Sequence, residues 1–173
     1  MSKVAAESDG AWRLVKLGIL SAFAAVRFPG PDSVLNELCY DDAEIAEFTT
    51  LDASCTWDAL PSETIGRNFT AISFFSPRAF RFFLPAFMIV GYEHRRAEDG
   101  RGQVLHSLVL HLAQLEWERD DGYVHRQTGS LDHVQRASLA SFLRFIYAAV
   151  PQLASEALSA HRSLPIRSDG AGE

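Results

Sequence analysis

Apolar positions recur along much of the chain with the period of an α-helix. Between Trp12 and Val26 they are Trp12, Val15, Ile19, Phe23 and Val26, a spacing that places them on one helical face. The same period runs from Asp132 to Val150, the clearest predicted helix, and Pro151 can begin another helix that extends to about His161. The pattern therefore predicts a mainly α-helical protein.

Breakers and capping residues divide the rest of the chain into shorter elements. The run Phe28-Pro29-Gly30-Pro31 ends the first helix. Side-chain oxygens that accept from the free amides of a first turn mark further helix starts. These predicted starts are Asp32 or Ser33 for a helix through Leu38, Asp41 or Asp42 for one through Thr50, Ser62 for a short helix, and Ser76 before Pro77.

The most apolar stretch of the chain is Phe80–Val90, with the sequence FRFFLPAFMIV. A proline inside a helix removes one hydrogen bond, so Pro85 predicts a short turn over 77–83 and a new helix from Pro85 to about Arg96. Arg81 interrupts the stretch, and it is shorter than the roughly 20 apolar residues that a membrane span requires. We interpret it as protein core.

Two regions are compatible with either helix or strand. Phe69–Phe75 could be the end of a helix or a strand. Val104–Trp117 has helical periodicity, but Val104–Leu112 could also be a buried strand, followed by an irregular or extended piece over 123–129. The expected fold is thus a single-domain irregular helical bundle, with one small β-hairpin in the 104–128 region as the alternative.

The 173 residues are enough for one domain with a substantial core. The small and polar residues 1–10 are expected to be a flexible N-terminus. Residues 11–162 would form the single helical domain, and 163–173 a disordered tail.

Charge is distributed unevenly. The net charge is −6, yet the span 28–66 contains nine acids and no Lys, Arg or His, so it contributes −9 and the remainder of the chain carries +3. An acidic balance argues against nucleic-acid binding. A patch of one sign speeds encounter with a partner of the opposite sign.

A longer pattern resembles a known family. It consists of Trp57-x-x-Leu60-Pro61, then Ile72-Ser73-Phe74-Phe75, the element Phe80–Met88, and a late helix ending in FLRF. Over about residues 33–147 this is similar to an uncharacterised bacterial domain-of-unknown-function family with a signature of the form fRFyLPAym. The resemblance implies a cytoplasmic bacterial protein and supplies no activity.

Few residues suggest catalysis or metal binding. His106 and His111 are five apart, which separates them by about 140° on a helix, so no metal site is expected, and no cofactor. Cys39 and Cys55 lack a disulfide or metal pattern and read as reduced thiols of a cytoplasmic protein. Arg81 among aromatics is expected to stack on a ring and to pair with an acid from the 28–66 span.

The leading interpretation is a non-enzymatic protein that binds a basic partner, specifically an immunity-type inhibitor of a bacterial toxin. An alternative is a small hydrolase or ligand-binding module with a pocket near Arg81 and His94, and a third class is a self-associating structural protein. No nucleic acid and no membrane is expected as a partner. For the leading interpretation the charge would come from Asp41, Asp42, Glu44, Glu47, Asp52 and Asp58, and the anchors would be Tyr40, Phe48 and Trp57.

Overall fold

The computed structural model describes residues 3–36, 45–118 and 122–164, with side chains from Ser8 onward. In these ranges the chain forms eight α-helices joined by turns and short 3₁₀ segments. The α-helices are α1 (Lys3–Phe23), α2 (Ala46–Thr49), α3 (Ser62–Arg67), α4 (Pro77–Glu93), α5 (Gly100–Ala113), α6 (Tyr123–Gly129), α7 (His133–Ala149) and α8 (Ala154–Ser163). The mainly α-helical, irregular bundle predicted from the sequence is confirmed.

Helix α4 lies at the centre of the bundle. Every residue from Phe82 to Met88 is buried, so this part of the helix has no face toward solvent. Helices α1, α3, α5 and α6 all pack against it. The other helices therefore arrange their apolar faces around α4.

The predicted break at Pro85 is wrong, because α4 continues through this residue to Glu93. A proline inside a helix costs about 3 kcal/mol. Burial of the aromatic and aliphatic side chains on both sides of Pro85 outweighs that cost, since each fully buried large side chain contributes about 1.5–3 kcal/mol.

Phe83 is the hub of the aromatic core. Its ring stacks on Phe75 at a centroid distance of 4.5 Å and meets Phe48 and Phe82 edge-on at 4.8 and 4.9 Å. All four rings are buried, and such offset and edge-to-face pairs add to the gain from burial. One α4 side chain thus joins the segment before α4 to the acidic segment around α2.

The remaining helices form an outer layer that also packs against itself. Helix α1 packs along α7, α7 against α8, and both α3 and α8 against α5. Trp12 on α1 contacts Tyr92 of α4 at 4.3 Å and Phe145 of α7 at 5.6 Å between ring centroids. This aromatic cluster ties α1 and α7 to the C-terminal end of α4.

The hairpin alternative for 104–128 is wrong in the described part of that region, which is helical in α5 and α6. Val104, Leu108, Leu112 and Leu115 are buried at intervals of three or four, which is the spacing of one helical face. Ala71–Ser73 forms a 3₁₀ turn, and Phe75 makes an isolated bridge with Leu35 rather than a strand.

Two of the predicted helix starts are confirmed in detail. The Ser76 hydroxyl accepts from the amide of Ala79, with Pro77 in the first turn. Asp132 accepts from the amide of Gln135, whose side chain accepts in return from the Asp132 amide. Both use the free amides of a first helical turn.

Other boundaries differ from the predictions. Helix α1 begins at Lys3, within the segment expected to be flexible, because the Ala-rich start is a good helix former. Ser62 does not cap α3; Pro61 precedes it in extended conformation. Pro31–Ser33 is a 3₁₀ turn rather than the start of a longer helix. The predicted caps at Asp41 and Asp42 and the tail beyond Leu164 lie outside the described residues.

No single described helix is long and apolar enough to cross a membrane; α7 together with Pro151–Ser163 passes that test of length and composition only as a pair bent by 119°.

Replacing Phe83 by Ala should lower the free energy of unfolding by about 3–5 kcal/mol, because the ring is buried and leaves a cavity. Denaturant unfolding measures this. The matched control is Tyr147→Ala on the exposed side of α7, where we expect a change within about 0.5 kcal/mol. A similar small change for both variants would contradict the central position of Phe83.

Candidate functional site

The acidic segment, residues 28–66, is the first candidate site. Tyr40, Asp41, Asp42 and Glu44 lie outside the described residues, so their part of the prediction stays a prediction. The described acids of the segment are Asp32, Glu47, Asp52, Asp58 and Glu63, of which all but the half-buried Glu47 are exposed.

Two of these acids pair with the protein's own arginines. Glu47 accepts from Nε and Nη2 of Arg67 at 3.1 and 2.8 Å, and this hydrogen bonding lowers the pKa of the Glu47 carboxyl. Glu63 lies 3.1 Å from Nη1 of Arg101, which also binds Asp99. The charge of the segment is therefore partly neutralised at these two positions.

Phe48 and Trp57 do not serve as exposed anchors, and this part of the prediction is wrong. Phe48 is fully buried against Phe75 and Phe83. Trp57 is also buried, and its indole Nε1 donates to the carbonyl of Phe23 at 3.0 Å. The aromatic core takes up these side chains, because their apolar area stabilises the fold more when it is buried.

Asp52 and Asp58 are the acids that remain available on the loop between α2 and α3. Asp52 accepts from the amide and the hydroxyl of Ser54, which lowers the pKa of its carboxyl. Burial raises the pKa of the Cys55 thiol, and the carboxylates of Asp52 and Asp58 raise it further. Both carboxylates therefore lie near Cys55. Within the described residues neither carboxylate has a Lys or Arg partner.

Arg81 and His94 do not line one pocket. Nη2 of Arg81 binds Oδ2 of Asp132 at 3.1 Å, so the arginine does pair with an acid, but with one at the start of α7 rather than in the 28–66 span. His94 caps the other end of α4, about 20 Å further along the helix axis. Exposed pairs like Arg81–Asp132 contribute about 0–1 kcal/mol, and this one connects α4 with α7.

A buried polar network beneath α4 was not predicted. Nε2 of His111 lies 2.6 Å from Oε1 of Gln127, and Nδ1 lies 3.3 Å from the hydroxyl of Ser73. Nε2 of Gln127 donates to the carbonyl of Phe75 at 2.8 Å, so the amide oxygen faces the histidine. The Tyr123 hydroxyl also donates to the Phe75 carbonyl.

These contacts determine which ring nitrogen of His111 carries the proton. Because the amide oxygen of Gln127 can only accept, Nε2 of His111 carries the proton and Nδ1 accepts from Ser73. Burial lowers the pKa of His111, which is 2 % exposed. The order Ser73–His111–Gln127 resembles a catalytic triad of hydroxyl nucleophile, histidine base and carboxylate. Gln127 stands in the carboxylate's position, and an amide cannot stabilise an imidazolium as a carboxylate does. The arrangement is suited to holding α5, α6 and the 71–75 segment together.

The sequence contained a signal for this network. His111 follows Val104 by seven residues, which places both on the buried face of α5, whereas His106 lies on the opposite face and is exposed. The burial of the neighbouring positions, rather than the spacing of the two histidines, is the signal for His111. Within the described ranges no group of three or more His, Cys, Asp or Glu side chains is placed to hold a metal ion.

The described structure is that of an all-helical protein built around a buried central helix, with its buried polar groups largely paired internally. The family described as "Family of unknown function (DUF6714)" matches residues 17–163, and the chain belongs to this family. No curated protein and no solved structure matches the chain.

Replacing His111 by Gln should remove part of the pH dependence of stability. The pKa of His111 is lower in the folded chain than in the unfolded one, so the unfolded state binds the proton first as pH falls below about 6.5. Stability is therefore complete above that pH and declines below it, by at most about 1.4 kcal/mol per pH unit. Denaturant unfolding of both proteins between neutral pH and the onset of carboxylate titration measures the difference.

His161 serves as the control, since burial also lowers its pKa but it is only partly buried. The variant His161→Gln should keep most of the wild-type decline. If His111→Gln declines as steeply as the wild type, the buried neutral state of His111 is refuted.

Proposed function

We propose that this chain is a non-enzymatic, cytoplasmic bacterial protein that binds a basic partner protein. In its concrete form the proposal is an immunity-type inhibitor that neutralises a basic toxin or effector. The observation that supports it is the pair of exposed carboxylates, Asp52 and Asp58, on the loop between α2 and α3. Unlike Glu47 and Glu63, they are not paired with the protein's own arginines within the described residues.

The position of these two charges suits an encounter surface. An unneutralised patch of one sign attracts a partner of opposite sign over about a Debye length. The segment 37–44 adds four further acids to the same charge-segregated part of the sequence. Since the aromatic residues Phe48 and Trp57 are buried, binding through this surface would depend on charge more than on apolar anchors.

The alternative of a hydrolase or ligand site at Arg81 and His94 has less support. Nη2 of Arg81 is paired with Asp132, although its buried Nε has no hydrogen-bond partner within the described residues, and His94 lies at the other end of α4. A guanidinium that is already paired has less to offer to an anionic substrate.

A specific observation favours self-association as a second candidate. Leu14 and Leu17 of α1 are 73 % and 62 % exposed, and Val134 of α7 is 49 % exposed. Beside them a groove of about 450 Å³ between α1 and α7 is lined by small uncharged side chains, namely Gly18, Ser21, Ala22, Ala137, Ser138 and Ser141. A face that carries both projecting leucines and an uncharged groove can pack on a second copy of itself across a two-fold axis.

Reversing the charge of Asp52 and Asp58 to Lys should weaken binding to a basic partner by about tenfold or more and reduce its salt dependence. Asp52 also accepts from the amide of Ser54, so its replacement could disturb the turn as well as the charge. Asp58→Lys alone changes only the charge and should show part of the loss of affinity. The partner is first captured from native lysate on the immobilised wild-type protein, and affinity is then measured by calorimetry at low and high ionic strength.

The matched control reverses two exposed acids outside the acidic segment, Asp9 and Glu98. It changes the net charge equally and should leave most of the affinity. Equal losses for the two double variants would reject the proposed surface, as would a captured partner without a basic face.

Sedimentation at two protein concentrations tests self-association. The wild-type mass should rise with concentration, and Leu14→Ser with Leu17→Ser should abolish the rise by removing the apolar contact. The control Leu110→Ser alters an exposed leucine on α5 and should behave as wild type. A monomer at both concentrations excludes this candidate.

A further inference from the structure

A cleft of about 480 Å³ opens where three segments meet: the turn between α4 and α5, the first two turns of α5, and the turn between α7 and α8. Its size is that of a small-molecule site. Its polar lining consists of Arg95, Arg96, Gln103, His106 and Gln152. On a chain with a net charge of −6, none of the described lining residues is acidic.

Arg95 is held in position before any ligand arrives. Its Nη1 donates to the carbonyl of Tyr92 at 2.6 Å, and its Cζ lies 3.8 Å from the centroid of the Tyr92 ring. That ring is itself fixed between Trp12 and Phe145, at 4.3 and 4.8 Å. A guanidinium fixed in this way loses little side-chain entropy on binding an anion.

The turn that carries both arginines is pressed against α5. A Cβ at Gly102 would overlap the carbonyl oxygen of Ala97, so only glycine permits this close approach. The close contact keeps Arg95 and Arg96 above the first turns of α5, where His106 lies. The backbone of the turn that carries the two arginines is therefore held close to α5.

Two of the three acids that neighbour the arginines in sequence have other partners, and the third, Glu98, is exposed and forms no ion pair within the described residues. Glu93 binds Lys16 at 2.7 Å, and Asp99 binds Arg101 at 2.7 Å. Within the described parts of the chain, neither Arg95 nor Arg96 has an ion pair. One acid, Glu156, lies near the cleft; the hydrogen bond from Ser155 is the main cause that lowers the pKa of its carboxyl, and the neighbouring His106 adds to the same shift.

The rest of the lining defines the ligand further. Leu105, Val150 and Leu153 supply an apolar wall beside the cations, and the two glutamine amides can donate to oxygen. Two guanidiniums favour an anion with several oxygens and more than one negative charge, which a phosphate monoester provides. We propose that this cleft binds a small organic phosphate, with the phosphate on Arg95 and Arg96 and the organic part on the apolar wall.

Phenyl phosphate is the probe for a titration followed by NMR and calorimetry on the full-length protein. It should bind saturably and shift the amide signals of the cleft segments. Inorganic phosphate lacks the organic part, and benzoate carries a single charge, so both should bind more weakly. Arg96→Gln should reduce the affinity for phenyl phosphate by about tenfold.

Arg96 is exposed, so this variant should fold as wild type does, and Arg95→Gln provides a second test. The matched control is Arg13→Gln, an exposed arginine on α1, which should leave the affinity unchanged. Absence of saturable binding, shifts that map outside the cleft, or equal affinity of the Arg96 and Arg13 variants would overturn the proposal. Benzoate binding as tightly as phenyl phosphate would overturn the assignment to phosphate.

Discussion

The structure depends on one constraint, the complete burial of the middle of α4. A helix that is apolar on every side cannot lie on a surface, so other elements have to cover each of its faces. Phe83 contacts rings from three separate parts of the chain: Phe28 near the end of α1, Phe48 in α2 and Phe75 before α4. The fold is a bundle because this helix requires neighbours all round, and it is irregular because the segments that reach it are short.

Burial of the middle of α4 confines its polar groups to the two ends. Arg81 near the start reaches Asp132, which also caps the N-terminus of α7, so a single carboxylate begins α7 and binds α4. At the other end, Glu93 binds Lys16 of α1 and Arg95 lies on Tyr92. The positive cleft is consistent with this arrangement, because Glu93 and Asp99 pair with Lys16 and Arg101, whereas Arg95 and Arg96 form no ion pair within the described residues.

Local signals were readable from the sequence, and long-range ones were not. Ser76-Pro77 acts within one helical turn, so the residue types alone predicted its role, and the helical period placed the start of α7 at Asp132 without predicting its pairing with Gln135. Pro85 was misjudged because its penalty is local, whereas the burial that outweighs it comes from residues distant in the chain. Phe48 and Trp57 were misjudged for the same reason. Their acidic neighbours in sequence suggested exposed side chains, but contacts with residues distant in the chain bury both.

The net charge of the acidic segment could be predicted from the sequence, but the pairing of its individual acids could not. Its sign and extent were evident from the sequence, but the pairing of Glu47 with Arg67 and of Glu63 with Arg101 requires residues that follow the segment in the chain. These two pairs lie at α2 and α3, where the segment is helical and packed, whereas Asp52 and Asp58 lie on the loop between them. A carboxylate on a packed helix has neighbours that can neutralise it, and one on an exposed loop has mainly water. Among the described acids of the segment, Glu47 and Glu63 are therefore paired with arginines, whereas Asp32, Asp52 and Asp58 are exposed and form no ion pair.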